Sequence, residues 1–177
     1  MSFKVTYENN KMIIPEISCG CGFSHAIPDI DVYIGSGILP ECAGYIRKRN
    51  MGNKLVLVAD NITYEVAGRK VEEILREDGF QVTLCLLERV EELKPDETAL
   101  GEVLLAMDAD TDFLVGVGSG SVTDITRYVA FNTGRPFVIA GTAASMDGYT
   151  SVVAPLLFNG QKVNKPSSCP VIIICDI

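Results

Sequence analysis

The stretch VGVGSGSVTD, Val115 to Asp124, joins an apolar strand pattern to a helical pattern through a glycine-rich turn. In an open α/β sheet, such a turn lies beyond the carboxyl end of a strand, where the first amides of the next helix point outward and attract anions. Gly118 and Gly120 present no Cβ to an approaching phosphate. A tight strand-to-helix turn, closed by a capping box from Ser121 to Asp124, also explains these residues. We expect both: the box caps the helix, and the loop binds phosphate.

Strand and helix patterns alternate through the rest of the chain. Short apolar, β-branched runs predict strands buried on both faces; they are Val32–Gly35, Leu55–Asp60, Val82–Leu87, Phe113–Gly118, Phe137–Thr142 and Val171–Ile177. Apolar residues at helical spacing predict helices between them; the stripes comprise Ile38, Cys42, Tyr45 and Ile46, then Ala67, Val71, Ile74 and Leu75, then Leu100, Val103, Leu104 and Met107, and finally Val122, Ile125, Val129 and Ala130. The predicted fold class is α/β, with a doubly wound, mainly parallel, Rossmann-like sheet.

Length and composition predict one domain over residues 1–177, with an N-terminal extension at 1–30 and the sheet and helices at 31–177. The polar segment Ala154–Ser168 predicts an excursion or hairpin over one edge. The apolar run ending at Ile177 has no polar tail, which predicts that the native polypeptide continues.

The formal net charge of −8 argues against a general nucleic-acid surface, which needs clustered Lys and Arg. No apolar run is long enough for a membrane span, and the N-terminus lacks a signal-peptide core. Cys85 and Cys175 lie in apolar runs, and Cys42 lies on the buried face of a helix, as expected of reduced thiols. These observations favour a cytoplasmic protein.

Two further segments fall at predicted strand ends. Asp60 ends a strand, where a carboxylate can accept both hydroxyls of a ribose and repel a 2′-phosphate; it can equally cap the helix that DNIT begins. The segment GTAASMDGYTS, Gly141 to Ser151, follows the fifth strand with small hydroxyl residues and one acid. Its Asp147 and Gly148 form a turn pair or else orient a substrate.

The segment CGCGFSH brings Cys19, Cys21 and His25 close together in sequence. Thiolate and imidazole ligands suit Zn²⁺, but three ligands leave a tetrahedral site one short. A structural turn is the favoured interpretation, and a separate metal site is the alternative.

The motifs GVGSGSVTD, RPFVIAGTAASMDGYTS and SCGCGFSHAIP, taken together, resemble the bacterial sn-glycerol-1-phosphate dehydrogenases. These belong to the wider group of glycerol dehydrogenases, iron-type alcohol dehydrogenases and dehydroquinate synthases. The resemblance covers essentially all 177 residues and implies a dehydroquinate synthase-like N-terminal domain. Ser119 departs from the pattern, since the group often has a glycine there.

The resemblance also implies a site. NAD or NADP would contact Asp60 through its adenosine ribose, and the other implied cofactor contacts are Gly118, Gly120, Ser121, Val122, Thr123, Asp124, Thr142, Ala143, Ala144, Ser145 and Ser151. Asp147 would contact the substrate, dihydroxyacetone phosphate or glycerol phosphate. The implied enzyme is an oxidoreductase of phospholipid metabolism. A homo-oligomer is expected, because the absence of a second domain would expose an apolar face that favours association.

A divalent metal, Zn, Ni or Fe, would act as a Lewis acid in that family's reaction. Its ligands, one Asp and two His, are expected in a helical C-terminal domain absent from this chain, which has a single histidine. The chain is therefore expected to carry the cofactor half alone, to bind nucleotide weakly or not at all, and to show no turnover by itself. The alternatives are a glycerol dehydrogenase or dehydroquinate synthase of the same fold, and a non-catalytic nucleotide-binding module.

Overall fold

A computed structural model describes residues 5–14, 20–22 and 28–177. Its strands are β1 (Thr6–Glu8), β2 (Lys11–Ile13), β3 (Asp31–Gly35), β4 (Lys54–Asp60), β5 (Gln81–Leu87), β6 (Phe113–Gly118), β7 (Phe137–Gly141), β8 (Val153–Phe158), β9 (Gln161–Pro166) and β10 (Ile172–Asp176). Its α-helices are α1 (Cys42–Arg47), α2 (Asn61–Thr63), α3 (Arg69–Glu77), α4 (Glu97–Ala106) and α5 (Gly120–Thr133). A π-helical turn, Tyr64–Gly68, joins α2 to α3, and 3-10 turns span Leu39–Glu41 and Gly148–Thr150.

The main sheet has eight strands in the order β1-β2-β3-β10-β7-β6-β4-β5. The six neighbouring strands β3-β10-β7-β6-β4-β5 all pair in parallel. Strand β2 pairs antiparallel with β3, and β1 pairs antiparallel with β2, so these two strands extend the sheet beyond β3. Parallel strands present all of their carboxyl ends at one edge, where the strand-to-helix loops lie. The predicted doubly wound α/β sheet is therefore confirmed.

Helices cover both faces of this sheet. Successive residues of β4 alternate between two cores: Leu55 and Leu57 pack with α1 and α3, whereas Val56 and Val58 pack with α4 and α5. Burial of each such side chain stabilises the fold by about 1.5–3 kcal/mol. Strands buried on both faces explain why their sequences are apolar throughout.

The helical stripes predicted from spacing are largely buried, with one exception. Val103 is fully buried, but Leu104, assigned to the same stripe, is 54% exposed. Ala99 fills the inward position one turn before Val103, and Leu100 and Met107 pack partly against the same core, so Leu104 is the one residue of the predicted stripe that faces outward. The predicted hairpin is confirmed, since β8 and β9 pair in antiparallel register from Val153–Pro166 to Phe158–Gln161.

Among the described residues, none of the helices combines the length and apolar character needed to cross a bilayer.

Candidate nucleotide site at the carboxyl edge

The glycine loop and the turn after β7 meet at the carboxyl edge of the sheet. Gly118, which ends β6, is the register partner of Gly141, which ends β7. The backbone N–H of Thr142 donates a hydrogen bond of 3.2 Å to the carbonyl oxygen of Gly118. Met146, which lies farther along the second segment, reaches within 3.9 Å of the position that a Cβ on Gly120 would occupy. Two segments that are remote in sequence thus form one surface.

The two central glycines of the loop serve different purposes. A Cβ on Gly118 would lie only 2.6 Å from Cβ of Val122, so Gly118 lets the first turn of α5 approach β6. A Cβ on Gly120 would meet nothing closer than Cγ of Met146 at 3.9 Å, so the space above Gly120 is open. Gly120 therefore leaves room for a ligand at the start of α5, whereas Gly118 is required by packing inside the protein.

The predicted capping box between Ser121 and Asp124 is wrong. The residue at the N-cap of α5 is Ser119, whose side chain makes no capping hydrogen bond. Ser121 is already the second helical residue, so its side chain is past the cap position. Asp124 instead accepts a hydrogen bond of 2.8 Å from Nη1 of Arg127, one turn farther along the helix. The first amides of α5 therefore have no side-chain cap at Ser119.

Val122 and Thr123 lie beneath the loop. Both are buried, and the N–H of Thr123 donates to the carbonyl oxygen of Ser119 at 2.9 Å. Oγ1 of Thr123 is buried and has no hydrogen-bond partner among the described residues. Gly120 and Ser121, two of the predicted loop contacts, begin the helix and are partly exposed.

Asp60 caps the next helix along the edge. Its Oδ1 accepts hydrogen bonds from the N–H groups of Ile62 and Thr63, at 2.9 and 2.7 Å, and its own N–H donates to Oγ1 of Thr63. The capping interpretation is therefore confirmed. Both amide bonds use Oδ1, which leaves Oδ2 available to a ribose hydroxyl.

A cleft of about 410 Å³ connects Asp60 to the glycine loop. Its lining comes from three segments, namely Asp60–Thr63, Arg89–Leu93 and the loop residues Ser119, Ser121 and Val122. Arg89 is held there by a 2.9 Å ion pair with Glu102 and by its backbone N–H, which donates to Oδ1 of Asn61. Sequence patterns did not reveal the segment Arg89–Leu93, because it is a polar loop without a motif.

A second cavity of about 360 Å³ lies on the other side of the loop, and Ser121 borders both. It is lined by Pro95, Gly120, Ser121, Asp124, Pro155, Leu156, Leu157 and Lys162. The hairpin β8–β9 thus brings a cation, Lys162, and an apolar wall to the start of α5. The sequence predicted the hairpin but not its position beside the start of α5, because that position depends on tertiary packing.

The segment after β7 folds back on itself. The carbonyl oxygen of Ala143 accepts hydrogen bonds from N–H of Met146 and from the hydroxyl of Tyr149, at 3.3 and 3.0 Å. Ala144 and Ser145 are exposed, and Thr142 is half-buried. Asp147 is exposed and precedes the 3-10 turn Gly148–Thr150, so the predicted turn at Asp147 and Gly148 is present.

Ser151 is engaged within its own loop. Its hydroxyl donates to the carbonyl oxygen of Val153 at 2.8 Å and accepts from the N–H of Val153 at 3.0 Å. A cofactor contact through this hydroxyl would have to be made in addition to these bonds.

Arg127 and Asp124 form a buried ion pair beside the second cavity. The side chain of Arg127 is 1% exposed and that of Asp124 is 17% exposed. Burial raises the pKa of Asp124 to about 6, although the nearby charges of Arg127 and Lys162 act in the opposite direction. Burial also lowers the pKa of Arg127. Arg127 was not predicted as a site residue; its only signal in the sequence was an acid and a base three residues apart on one helix.

The described residues do not fit a catalytic metal. Among them, no group of three or more His, Cys, Asp or Glu side chains is placed to hold a metal ion. Cys19 and His25 of the predicted separate site lie outside the described residues, and Cys21 lies in an exposed turn. Cys42 and Cys85 are buried thiols, as predicted, and Cys175 is half-buried.

Solved structures with the same fold include a glycerol dehydrogenase from Schizosaccharomyces pombe, with a TM-score of 0.68 and 23% identity over 82% of this chain and 36% of that one. A maleylacetate reductase from Rhizobium sp. strain MTP-10005 has a TM-score of 0.72 and 19% identity over 88% of this chain and 43% of that one. At these identities, the comparisons establish the fold alone.

Curated relatives are more similar in sequence. The glycerol-1-phosphate dehydrogenase (NAD(P)+) of Halalkalibacterium halodurans is 31% identical over 162 residues, which are 90% of this chain and 40% of the relative. That of Geobacillus thermodenitrificans is 36% identical over 138 residues, 77% of this chain and 34% of the relative. The chain thus spans about two fifths or less of these relatives' length. Residues 33–177 match the family model described as iron-containing alcohol dehydrogenase. The chain therefore belongs to the iron-containing alcohol dehydrogenase family.

Proposed function

We propose that this chain binds NAD(P) across the carboxyl edge of its sheet and is the nucleotide-binding part of a glycerol-1-phosphate dehydrogenase. Such an enzyme interconverts dihydroxyacetone phosphate and sn-glycerol 1-phosphate. The observation that carries the proposal is the hydrogen bond from Thr142 to Gly118, because it joins the β7 turn to the glycine loop, which borders both cavities. The sequence similarity to relatives named for this enzyme supports the choice of reaction.

The diphosphate would lie over the start of α5. Here Gly120 leaves open space, and the helix dipole favours negative charge. The N-cap side chain of Ser119 makes no hydrogen bond to the first turn, which leaves the amides of Gly120 and Ser121 to meet the anion. Gly118, Val122 and Thr123 would shape the loop from below, and Asp124 would border it from the second cavity.

The two ends of the nucleotide would occupy opposite sides of the loop. The cleft beside Asp60 suits the adenosine ribose, because Oδ2 of Asp60 can accept hydrogen bonds from the ribose hydroxyls. Glu91 and Glu92 add negative charge to this cleft, which disfavours a 2′-phosphate. We therefore propose NAD rather than NADP as the preferred cofactor. The residues Thr142, Ala143, Ala144, Ser145 and Ser151 would border the nicotinamide half.

The nicotinamide, when bound, supplies or accepts the hydride in this class of reaction. The residues of this chain would bind and orient the reactants around it. Asp147, exposed at the end of the β7 turn, would accept a hydrogen bond from a hydroxyl of the substrate. The apolar wall of Pro155, Leu156 and Leu157 would limit water in the second cavity, and Lys162 would balance negative charge there.

A divalent metal, Zn, Ni or Fe, belongs to the proposed whole enzyme, but the described residues offer no site for it. No catalytic step is therefore assigned to a metal in this chain. We expect the 177-residue chain to bind nucleotide weakly and to show no NADH-dependent reduction of dihydroxyacetone phosphate.

Two alternatives make different predictions. A glycerol dehydrogenase or dehydroquinate synthase of the same fold would share the nucleotide site but would respond to glycerol or to a deoxyheptulosonate phosphate, respectively. A non-catalytic nucleotide-binding module would bind NADH without any response to dihydroxyacetone phosphate. Adding each of these compounds to the NADH complex, and measuring the change in NADH affinity, separates them.

The nucleotide site itself can be tested with one pair of matched variants. Gly120→Ala adds a methyl group in open space above the loop, whereas Gly44→Ala adds one in open space on α1. Fluorescence titration should give an NADH dissociation constant of about 0.1–5 mM for the wild type, equivalent to roughly 3–5.5 kcal/mol. We expect Gly120→Ala to weaken binding at least tenfold and Gly44→Ala to leave it unchanged. Equal affinities for the two variants would contradict the proposed site.

A further inference from the structure

Arg127 is the largest side chain that is fully buried in the described part of the chain. It lies on α5, one turn after Asp124, and its guanidinium faces the segment that follows Asp147. Nη2 donates to the carbonyl oxygens of Gly148 and Tyr149, at 2.6 and 2.9 Å, and Nη1 donates to that of Val153 at 3.3 Å. One side chain therefore binds both ends of the segment Gly148–Val153.

This segment has little regular structure to satisfy its backbone. Besides the 3-10 turn and the bond from the Ser151 hydroxyl to the carbonyl oxygen of Val153, its carbonyl groups accept from donors elsewhere: the thiol of Cys169 donates to Thr150 at 3.1 Å, and the N–H of Ser167 donates to Val152 at 2.8 Å. Tyr149 is buried, so an unpaired carbonyl group there would be costly, and its bond to Arg127 anchors the segment together with the other contacts. Arg127 makes three of these contacts and, unlike Cys169 and Ser167, it donates from a charged group.

A buried guanidinium is expensive unless it is paired and hydrogen-bonded. Asp124 supplies the opposite charge at 2.8 Å, and the three carbonyl oxygens take most of the remaining donors. Only Nε lacks a partner within the described residues. Apolar side chains of similar volume could fill this space without the desolvation, so the presence of an arginine here needs another reason.

We propose that Arg127 is a positioning residue that fixes the segment Gly148–Val153, and thereby orients Ser151 and the adjoining Asp147, which follows Met146, the residue that reaches toward Gly120. The proposal rests on the proposed function, because Asp147 and Ser151 are the substrate and cofactor contacts of that site. Since α5 begins with Gly120 and Ser121, Arg127 links the diphosphate end of the helix directly to the segment that bears the other contacts. The planar fork of arginine spans carbonyl groups that the single ammonium of lysine cannot reach together.

The test compares Arg127→Lys with Val129→Ala. Both residues are buried on α5, but Val129 packs in the apolar core and makes none of these loop contacts. Hydrogen exchange is measured on the N–H groups of Ser151 and Val153, which bond within the segment, and on the core of β6 as the reference. NADH affinity is measured at a temperature where both variants are folded. If Arg127→Lys does not fold, Arg127→Gln replaces it.

In Arg127→Lys, exchange at Ser151 and Val153 should be at least tenfold faster than in Val129→Ala, with equal exchange in β6. NADH should also bind at least fivefold more weakly in the lysine variant. Equal exchange of the segment in the two variants would overturn the positioning role. Faster exchange with unchanged NADH affinity would overturn the link to the nucleotide site. Absence of NADH binding by the wild type would refute the proposed function instead, and the exchange data would still decide whether Arg127 fixes the segment.

Discussion

Replacing Gly118 with alanine tests whether the glycine loop is shaped by packing against α5. The added Cβ would lie 2.6 Å from Cβ and 2.7 Å from Cγ2 of Val122, whereas carbon atoms normally pack about 3.5–4.0 Å apart. Rotation of the valine side chain cannot relieve the first contact, since Cβ is fixed by the helix backbone. The first turn of α5 must therefore move by about 1 Å, although Val122, the residue in contact, is almost completely buried in the core.

Overpacking of this kind costs about 1–3 kcal/mol. For a domain of this size, each kcal/mol corresponds to a change of about 2–4 °C in Tm, so we expect Gly118→Ala to lower Tm by about 2–12 °C. Gly101→Ala is the matched control, because it lies inside α4 with nothing within 4 Å of the added methyl group. That control should be more stable than the wild type by about 0.5–1 kcal/mol, since alanine favours helix more than glycine does.

Thermal and urea unfolding, followed by circular dichroism, measure both variants against the wild type. The reasoning is refuted if Gly118→Ala unfolds within about 0.5 kcal/mol of the wild type, which is the range typical of inconsequential surface substitutions. It is equally refuted if Gly101→Ala is the more destabilised of the two variants.

Three further predictions concern individual side chains. Asp60→Ala should lose about 0.5–2 kcal/mol of stability with its cap, whereas Asp60→Ser should retain most of it; both should reduce the preference for NADH over NADPH, as measured by competitive titration. Burial raises the pKa of Asp124 to about 6, from 3.8 in the unfolded chain, so its stabilising contribution is complete below pH 4 and is lost as pH rises through 6. The free energy of unfolding in urea should therefore fall over this pH range in the wild type but not in Asp124→Asn. Burial raises the pKa of Cys42 and of Cys85 to about 11, so neither should react with a thiol reagent at pH 8 before unfolding, as judged by peptide mass spectrometry.

The parallel sheet was predictable because burial on both faces produces apolar runs that stand out from their surroundings. Strand β6 matched its predicted bounds, and β4 and β5 each begin one residue earlier than predicted. The strands β1 and β2 were missed because each has three residues and is partly or fully exposed, which leaves no hydrophobic pattern. Leu104 shows the limit of helical spacing: adjacent apolar residues on α4 allow two inward faces, and contact with α5 selects one.

The place of the candidate site was predictable, but its internal contacts were not. Local motifs located the glycine loop, Asp60 and the β7 turn, because strand ends of a parallel sheet share one edge. The failed capping box illustrates why side-chain partners differ: Asp124 could bond the helix start or Arg127, and the buried guanidinium provides the stronger, charged donor. The role of Arg127 depends on carbonyl groups more than twenty residues away, which no local pattern reveals.

The most direct test is a titration of the isotopically labelled 177-residue chain with NADH, followed through its amide NMR signals. If the nucleotide lies across the carboxyl edge, the signals of Gly120, Ser121, Thr142 and Ile62 should shift together along one binding curve. The signals of Gly101 in α4 and of Gly44 in α1, which line neither of the two cavities beside the loop, should change little. The nucleotide site would be contradicted if the shifts were confined to other surfaces. It would also be contradicted if no saturable shift occurred up to about 10 mM NADH, since the weakest dissociation constant expected is roughly 5 mM.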